Sequence, residues 1–454
     1  MKFTIRARAQ GGEERTFGYD NMTSHITDSA GQKLAVRPAT RRSVVNGRMA
    51  AVVGPAQPGR KRDIRTLKIQ LGLSCNYSCE YCSQRFVPHA AETNKDDVEP
   101  FLAGLAGWVK VPPERIEFWG GEPFVYWKTL KPLAEALRQR FPGAFFGIVT
   151  NGSLLDAEKN AWLDALGFGV GISHDGPGQS VRGPDPLDDP EKWAAILDLY
   201  ARLRPKGRIS FNAMLHRTNI DRHAIQRFFV ELTDDPSVPI GEGSFIDPYD
   251  DGGIGTSLQS DDDHLSLRQK TLEQIRGYAA MNFELVRTRM AEWIDSFANG
   301  REAAGLGQKC SMDREDAIAV DLRGNVLTCQ NVSAVSTSPA GTSHRIGHVA
   351  DLEAVRLNTS THWSLREECP KCPVLQGCKG ACMFLSGPSW QAACDNAYSD
   401  HIAFFVAAFE AATGFAPYRI DGYGLPETRR SPFQKPPTMS TRRPINIPVK
   451  VVHA

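Results

Sequence analysis

The chain has almost no charge imbalance: 53 Lys and Arg stand against 52 Asp and Glu, for a formal net charge of +1. No global attraction to nucleic acid or to a membrane surface follows from that balance. Long apolar runs are also missing. None approaches the ~20 residues that span a bilayer, so no membrane partner is expected. The opening residues, MKFTIRARAQGGEERTF, lack the apolar stretch of a secretory signal, which predicts a cytoplasmic protein. Cysteine is absent from residues 83–309, so all ten cysteines fall in two groups: Cys75, Cys79 and Cys82, then seven between Cys310 and Cys394. Disulfides are rare in a reducing cytoplasm, and two tight groups point to metal sites.

What is present divides the chain into four segments. Residues 1–62 are β-rich, with KFTIRARA and ERTFGYD separated by a turn at Gly11-Gly12. Residues 63–300 alternate strand-like runs with amphipathic helices. TLKIQLG (66–72), RIEFWGG (115–121), FFGIVTNG (145–152), FGVGISHDG (168–176), RISFNAML (208–215) and GSFID (243–247) each precede a helical stretch, the last reaching Asn299. Six such units predict an α/β fold with a parallel sheet, a partial (β/α)6 barrel rather than the complete eightfold one. Residues 301–415 hold seven cysteines and end in a helix over 401–414. Residues 416–454 are Pro-rich and basic, and read as an extended tail.

The first cysteine group, LSCNYSCEYC, has the spacing C-x3-C-x2-C and begins just past the first barrel strand, at the end where parallel barrels carry their chemistry. Three thiolates on one loop can hold three irons of a 4Fe-4S cube and leave the fourth open, as a catalytic site requires. The other reading is a zinc site with a distant fourth ligand.

The motif, the aromatic Tyr81 before its last cysteine and its place after the first strand resemble the radical SAM superfamily. In that family the open iron chelates S-adenosylmethionine (SAM), whose cleavage yields a 5′-deoxyadenosyl radical that abstracts hydrogen from an unactivated carbon. WGGEP (119–123) is similar to the family's second-strand motif. The resemblance implies that Gly120, Gly121 and the turn closed by Pro123 face the methionine end of SAM, and that Glu122 contacts its ammonium. Taken alone, the same residues read as a glycine turn ended by proline. Asn151 and Ser173 fall at the ends of strands three and four, positions the family uses for the SAM carboxylate and ribose; Asn212 on strand five is a further candidate. A buried strand-end amide that satisfies backbone groups is the other reading of Asn151 and Asn212.

The remaining cysteines, Cys310, Cys329, Cys369, Cys372, Cys378, Cys382 and Cys394, resemble the SPASM extension of radical SAM enzymes. A pair of structural zinc sites is the alternative on spacing alone. Family ligation implies an outer auxiliary cluster on Cys369, Cys372, Cys378 and Cys394, and an inner one on Cys310, Cys329 and Cys382. With the SAM-binding cluster this makes three 4Fe-4S clusters. Anaerobic sulfatase-maturating enzymes place an eleventh cysteine where this chain has Asp316. The inner cluster's fourth iron is then either ligated by Asp316, which leaves as substrate arrives, or open; in the other reading Asp316 is a surface acid.

SPASM enzymes typically modify an amino-acid carbon of a peptide or protein, and an electron donor such as flavodoxin or ferredoxin is implied. The N-terminal segment shows little of the helical periodicity of a leader-peptide module, so the core alone is expected to hold the substrate. The alternative is radical isomerisation of an aminoacyl group on modified thymidine in phage DNA, in the host cytoplasm. It draws on the seven basic residues from Arg419 to Lys450. A solvated tail without a partner is the plainer reading of that charge.

Overall fold

The computed structural model describes residues 1–39, 58–84, 93–337, 341–357 and 361–433. At the N-terminus, β1 (Lys2–Arg8), β2 (Glu14–Asp20) and β3 (His25–Thr27) form an antiparallel meander. Its alternation buries Phe3, Ile5, Phe17 and Tyr19 on one face. The reversal between β1 and β2 uses Gly12 at φ +86°.

Five β–α units follow as the periodicity predicts. They comprise β4 (Thr66–Gln70) and α1 (Val98–Trp108), β5 (Arg115–Trp119) and α2 (Trp127–Arg140), β6 (Phe145–Thr150) and α3 (Ala157–Ala165), β7 (Phe168–Ser173) and α4 (Pro190–Leu203), and β8 (Ile209–Asn212) and α5 (Arg222–Thr233). Asp156, Asp189 and Asp221 cap α3, α4 and α5 by accepting backbone N–H bonds of the first turn. Strands β4 to β8 pair in parallel and in order. Their outer face stacks Leu67, Ile116, Phe146 and Phe168 in register beneath the helices. On the inner face the corresponding row is Lys68, Glu117, Gly147 and Gly169, and the barrel stays hollow there, with a cavity of about 930 Å³.

Five expectations change. The sixth strand, 243–247, does not form; isolated parallel bridges, Phe211 with Ile240 and Leu215 with Phe245, stand in its place. The helical stretch after it is three helices, α6 (Asp251–Thr256), α7 (Asp261–Gly277) and α8 (Glu284–Asn299). The cysteine-rich segment does not fold apart from the barrel. Its β9 (Ala317–Asp321) joins the sheet parallel to β4, and β10 (Asn325–Leu327) and β11 (Arg345–His348) extend it antiparallel into a mixed eight-stranded sheet. After the short α9 (Leu375–Cys378), the closing helix α10 runs over Gly387–Thr413, much longer than 401–414, and ends at Gly414 with φ +80°.

The fifth change concerns the tail. Residues 416–421 form β12 (Ala416–Asp421), which pairs antiparallel with β1, and α11 (Glu427–Arg430) follows it. The first and last strands among the described residues thus share one four-stranded sheet, packed on α10 through Phe17 against Phe409 and Tyr19 against Phe405. Residues 434–454, the rest of the expected tail, lie outside the described residues. No helix among the described residues is long and apolar enough to cross a membrane.

Candidate functional site

The loop after β4 carries Cys75, Cys79 and Cys82 along the wall of a cavity of about 300 Å³ at the C-terminal ends of the barrel strands. Backbone N–H groups support the sulfurs: Tyr77 donates to Cys75 Sγ at 3.3 Å and Gln84 to Cys82 Sγ at 3.4 Å. Tyr81 ties the loop down from below. Its hydroxyl donates to Asp175 at 2.5 Å and accepts from Arg182 Nη1 at 2.7 Å. Burial pushes the Cys79 thiol up to about 12, against the pull of Arg182. A group that binds here must therefore supply positive charge to hold the thiolate, as a metal cluster does. Among the described residues no three His, Cys, Asp or Glu side chains are placed to hold a single metal ion.

The glycines of WGGEP act first on the chain itself. A Cβ on Gly121 would run into the carbonyl oxygens of Leu73 and Ser74, and one on Gly120 would lie 3.0 Å from the Gly72 carbonyl. The backbone of this turn packs on the cysteine loop and bonds it, Gly121 N–H to Gly72 O and Glu122 N–H to Ser74 O, both at 3.0 Å. Both glycines still border the cavity. Pro123 opens the 3-10 turn that Glu122 caps, and does not reach the cavity wall.

Glu122 does line the cavity and is 1% exposed. Its carboxylate accepts from Thr150 Oγ1 and from the Asn151 N–H, each at 2.8 Å, and from the Phe124 N–H at 3.2 Å. Burial raises its pKa in spite of these donors. Asn151 borders the same cavity, but its side chain is occupied: it donates to Asn76 at 2.9 Å and accepts from Ser153 Oγ at 2.6 Å. Ser173 faces the cavity from the end of β7, and no described residue hydrogen-bonds its hydroxyl. Asn212 is not brought to this site. It lines the lower barrel cavity, accepting from Ser210 Oγ at 3.2 Å.

Arg182 is a cavity residue that sequence reasoning missed. It is 9% exposed, pairs with Asp175 at 3.6 Å, and leaves its Nε buried without a partner. Nothing in QSVRGP marks it; only the fold carries it to the cysteine loop.

The C-terminal cysteines lie in two neighbourhoods. Cys369, Cys372, Cys378 and Cys394 ring one small cavity with Trp390, Tyr398 and Arg429. Cys329 is held high by burial and then by the charges of Cys310 and Cys382, which places these three together. The Asn331 N–H donates to Cys329 Sγ at 3.3 Å, and the Tyr249 hydroxyl lies 3.2 Å from Cys382 Sγ. Asn331 and Tyr249 also line the first cavity, so the inner set stands directly behind its wall. Lys68 on β4 bonds Gln330 at 3.3 Å, and its charge favours the thiolates of Cys310 and Cys329.

Asp316 does not join them. Its carboxylate takes two bonds from Arg314, at 3.0 and 2.9 Å, with Arg65 at 3.9 Å. Those ion pairs hold its pKa below the usual carboxylate range despite the cost of burial. It is neither a cysteine-site residue nor a free surface acid. The carboxylate that Cys310 senses is Asp313, fully buried, with Oδ1 unpartnered.

The described basic residues of the tail are spent inside the molecule. Arg429 donates to Asp395 at 2.6 Å and to Cys394 Sγ at 3.3 Å, and Arg419 bonds Asp421 at 3.0 Å and Glu427 at 3.0 Å.

The three cysteines after the first barrel strand and the glycine–glutamate turn after the second thus border one cavity at the strand ends. Residues 69–228 match the family model of the radical SAM superfamily. A curated relative, the radical SAM cyclopropyl synthase TigE of Paramaledivibacter caminithermalis, is 24% identical over 178 residues, 35% of this chain and 37% of the relative. The chain thus spans little more than a third of that relative's length. Among solved structures, anSMEcpe with bound AdoMet and the Cp18Cys peptide aligns with a TM-score of 0.54 at 18% identity, over 76% of this chain and 98% of that one. The same protein with AdoMet alone aligns at a TM-score of 0.55 and 17% identity, with the same coverage. The fold is shared with these proteins.

Proposed function

We propose that this enzyme reductively cleaves SAM and abstracts hydrogen from an amino-acid-derived carbon of a peptide or protein. The observation that carries the proposal is one cavity in which three loop thiols, a buried carboxylate and a guanidinium with an unpartnered Nε face each other, backed by a second cysteine set. A 4Fe-4S cluster on Cys75, Cys79 and Cys82, with SAM on its open iron, supplies the 5′-deoxyadenosyl radical when bound. The chain's part is to bind and orient. Glu122 offers an uncompensated negative charge to an ammonium. The Arg182 guanidinium and the free Ser173 hydroxyl offer donors to a carboxylate at the other side of the same space. Trp119, Val149, Met214 and Ile246 line the rest and exclude water around the reacting carbon.

In this reading Cys310, Cys329 and Cys382 hold an inner auxiliary cluster, and Cys369, Cys372, Cys378 and Cys394 an outer one. Cations near the thiols, Lys68, Lys309 and Arg429, suit the net negative charge of thiolate-ligated clusters. A peptide substrate is supported by the peptide bound in anSMEcpe. A flavodoxin or ferredoxin would supply the electron. No observation favours the DNA reading, because the described tail arginines are paired within the molecule.

The test is anaerobic incubation with SAM, a reductant and peptides deuterated at single carbons. Deuterium in 5′-deoxyadenosine is the expected result and identifies the carbon attacked. SAM cleavage without deuterium transfer from any peptide, but with transfer from a nucleoside-linked amino acid, overturns the peptide assignment.

A further inference from the structure

We propose that Tyr249 is a positioning residue that sets the reduction potential of the inner auxiliary cluster, through an O–H···S hydrogen bond to Cys382 made from within the wall of the substrate cavity. The inference rests on the reading of Cys310, Cys329 and Cys382 as cluster ligands.

Three observations meet at this side chain. Its hydroxyl lies 3.2 Å from Cys382 Sγ, inside the range for a hydrogen bond to sulfur. It also lines the cavity that holds Cys75, Glu122 and Arg182. Cys382, in turn, is grouped with Cys310 and the buried Cys329. One phenol therefore borders the space where hydrogen is abstracted and touches the nearer auxiliary site. When Cys382 is a metal-bound thiolate, only the phenol has a proton to give, so the direction of donation is settled.

Reduction adds one negative charge to a cluster, and a donor to a ligand sulfur stabilises that charge more in the reduced state than in the oxidised one. Hydrogen bonds to sulfur and exclusion of water are among the factors that set such potentials. The Tyr249 bond therefore raises the inner cluster's potential and makes it a better electron acceptor, while the ring keeps cavity water from that sulfur. The loop brings a charge pair as well: Asp247, two residues earlier, lines the same cavity and faces Lys309 at 3.7 Å. The Asp247 carboxylate disfavours a thiolate at Cys382, and the phenol's hydrogen bond acts against it.

The experiment is an EPR-monitored redox titration of the reconstituted holoenzyme and its Tyr249→Phe variant, which keeps the ring and removes only the hydroxyl. The inner signal is first assigned as the one that Cys382→Ala abolishes, and the outer as the one that Cys372→Ala abolishes. Tyr249→Phe is expected to lower the inner reduced-to-oxidised ratio about tenfold at fixed potential, equivalent to ~59 mV for one electron. The outer signal should keep its potential. An inner potential equal to wild type overturns the inference. If Tyr249→Phe fails to hold the cluster, the wild type decides. Pulsed EPR of the inner signal after exchange into D2O must show a strongly coupled exchangeable proton, and its absence overturns the inference. If no wild-type signal responds to Cys382→Ala, the inner-cluster reading itself falls, an outcome distinct from an unshifted potential.

Discussion

Glu122 is a carboxylate at 1% exposure with three hydrogen-bond donors and no ion-pair partner among the described residues. Desolvation outweighs the donors and raises its pKa. The sign of the consequence is fixed by linkage. A raised carboxyl pKa favours the protonated form in the fold, so Glu122's stabilising contribution is full below the ordinary carboxyl range and is lost as pH rises through the raised value. A bound ammonium reverses this, and SAM binding should expel a proton. SAM affinity is therefore expected to weaken as pH falls through the raised Glu122 pKa. Glu122→Gln should bind about tenfold more weakly, for loss of a charge-assisted bond of ~1.5–3 kcal/mol, and should lose that pH slope. Calorimetric titration across pH checks both; equal affinity and slope in the variant would return Glu122 to the role of a turn cap. At Asp316 the expectation is different. Its ion pairs are with Arg314, itself a third exposed, and Arg65. Asp316→Ala should cost about 1 kcal/mol in chemical denaturation and leave the iron content and the inner signal unchanged.

At the scale of elements, the ends of β4 and β5 are fused into one unit. Gly121 lies against the carbonyls of Leu73 and Ser74, with backbone too close for any side chain and no flexible group to yield. Gly121→Ala should displace the cysteine loop and remove the first cluster, about four of about twelve irons, while both auxiliary EPR signals persist. Helix α10 is anchored to the barrel by a buried triad: Asp400 binds Arg222 on α5 at 2.6 Å and Arg289 on α8 at 2.5 Å. The two guanidiniums hold the Asp400 pKa far below the ordinary range in spite of complete burial. Its contribution is present above the ordinary carboxyl pKa and is lost as pH falls toward the depressed one. Asp400→Asn leaves two arginines uncompensated and should cost ~3–5 kcal/mol, read from denaturant unfolding.

At the scale of the whole molecule, the first and last described strands form one clamp on the outer cysteine site. Pairing of β1 with β12 sets Asn21 and Arg429 on either side of it. Asn21 donates to the carbonyls of Pro370 and Cys372 at 2.9 and 2.8 Å, and Arg429 donates to Cys394 Sγ at 3.3 Å while its guanidinium lies 4.6 Å over the Tyr398 ring. Ending the chain after Phe415 removes β12 and Arg429 together. The truncated protein is expected to lose the outer EPR signal and about four irons, with the SAM-binding cluster retained. Retention of the outer signal would show that the clamp only covers the site.

Much of the site was legible because its determinants are local. The spacing of Cys75, Cys79 and Cys82 sets three thiols on one short loop whatever surrounds it, and WGGEP writes its turn in adjacent residues. The helices α3, α4 and α5 announce themselves by apolar periodicity and Asp caps within a few residues. Tertiary structure alone decided what depends on partners far along the chain. Asp316 and Asn212 carry the right chemistry at plausible positions, yet Arg314 and Ser210 claim them. Arg182 and Tyr249 sit in unremarkable loops and become site residues only when the barrel closes on the cysteine loop. The join of β9 to β4 spans about 250 residues and that of β12 to β1 more than 400. Such pairings have no local signature, because the free energy that selects them comes from burial and backbone bonds formed only once the rest of the sheet exists.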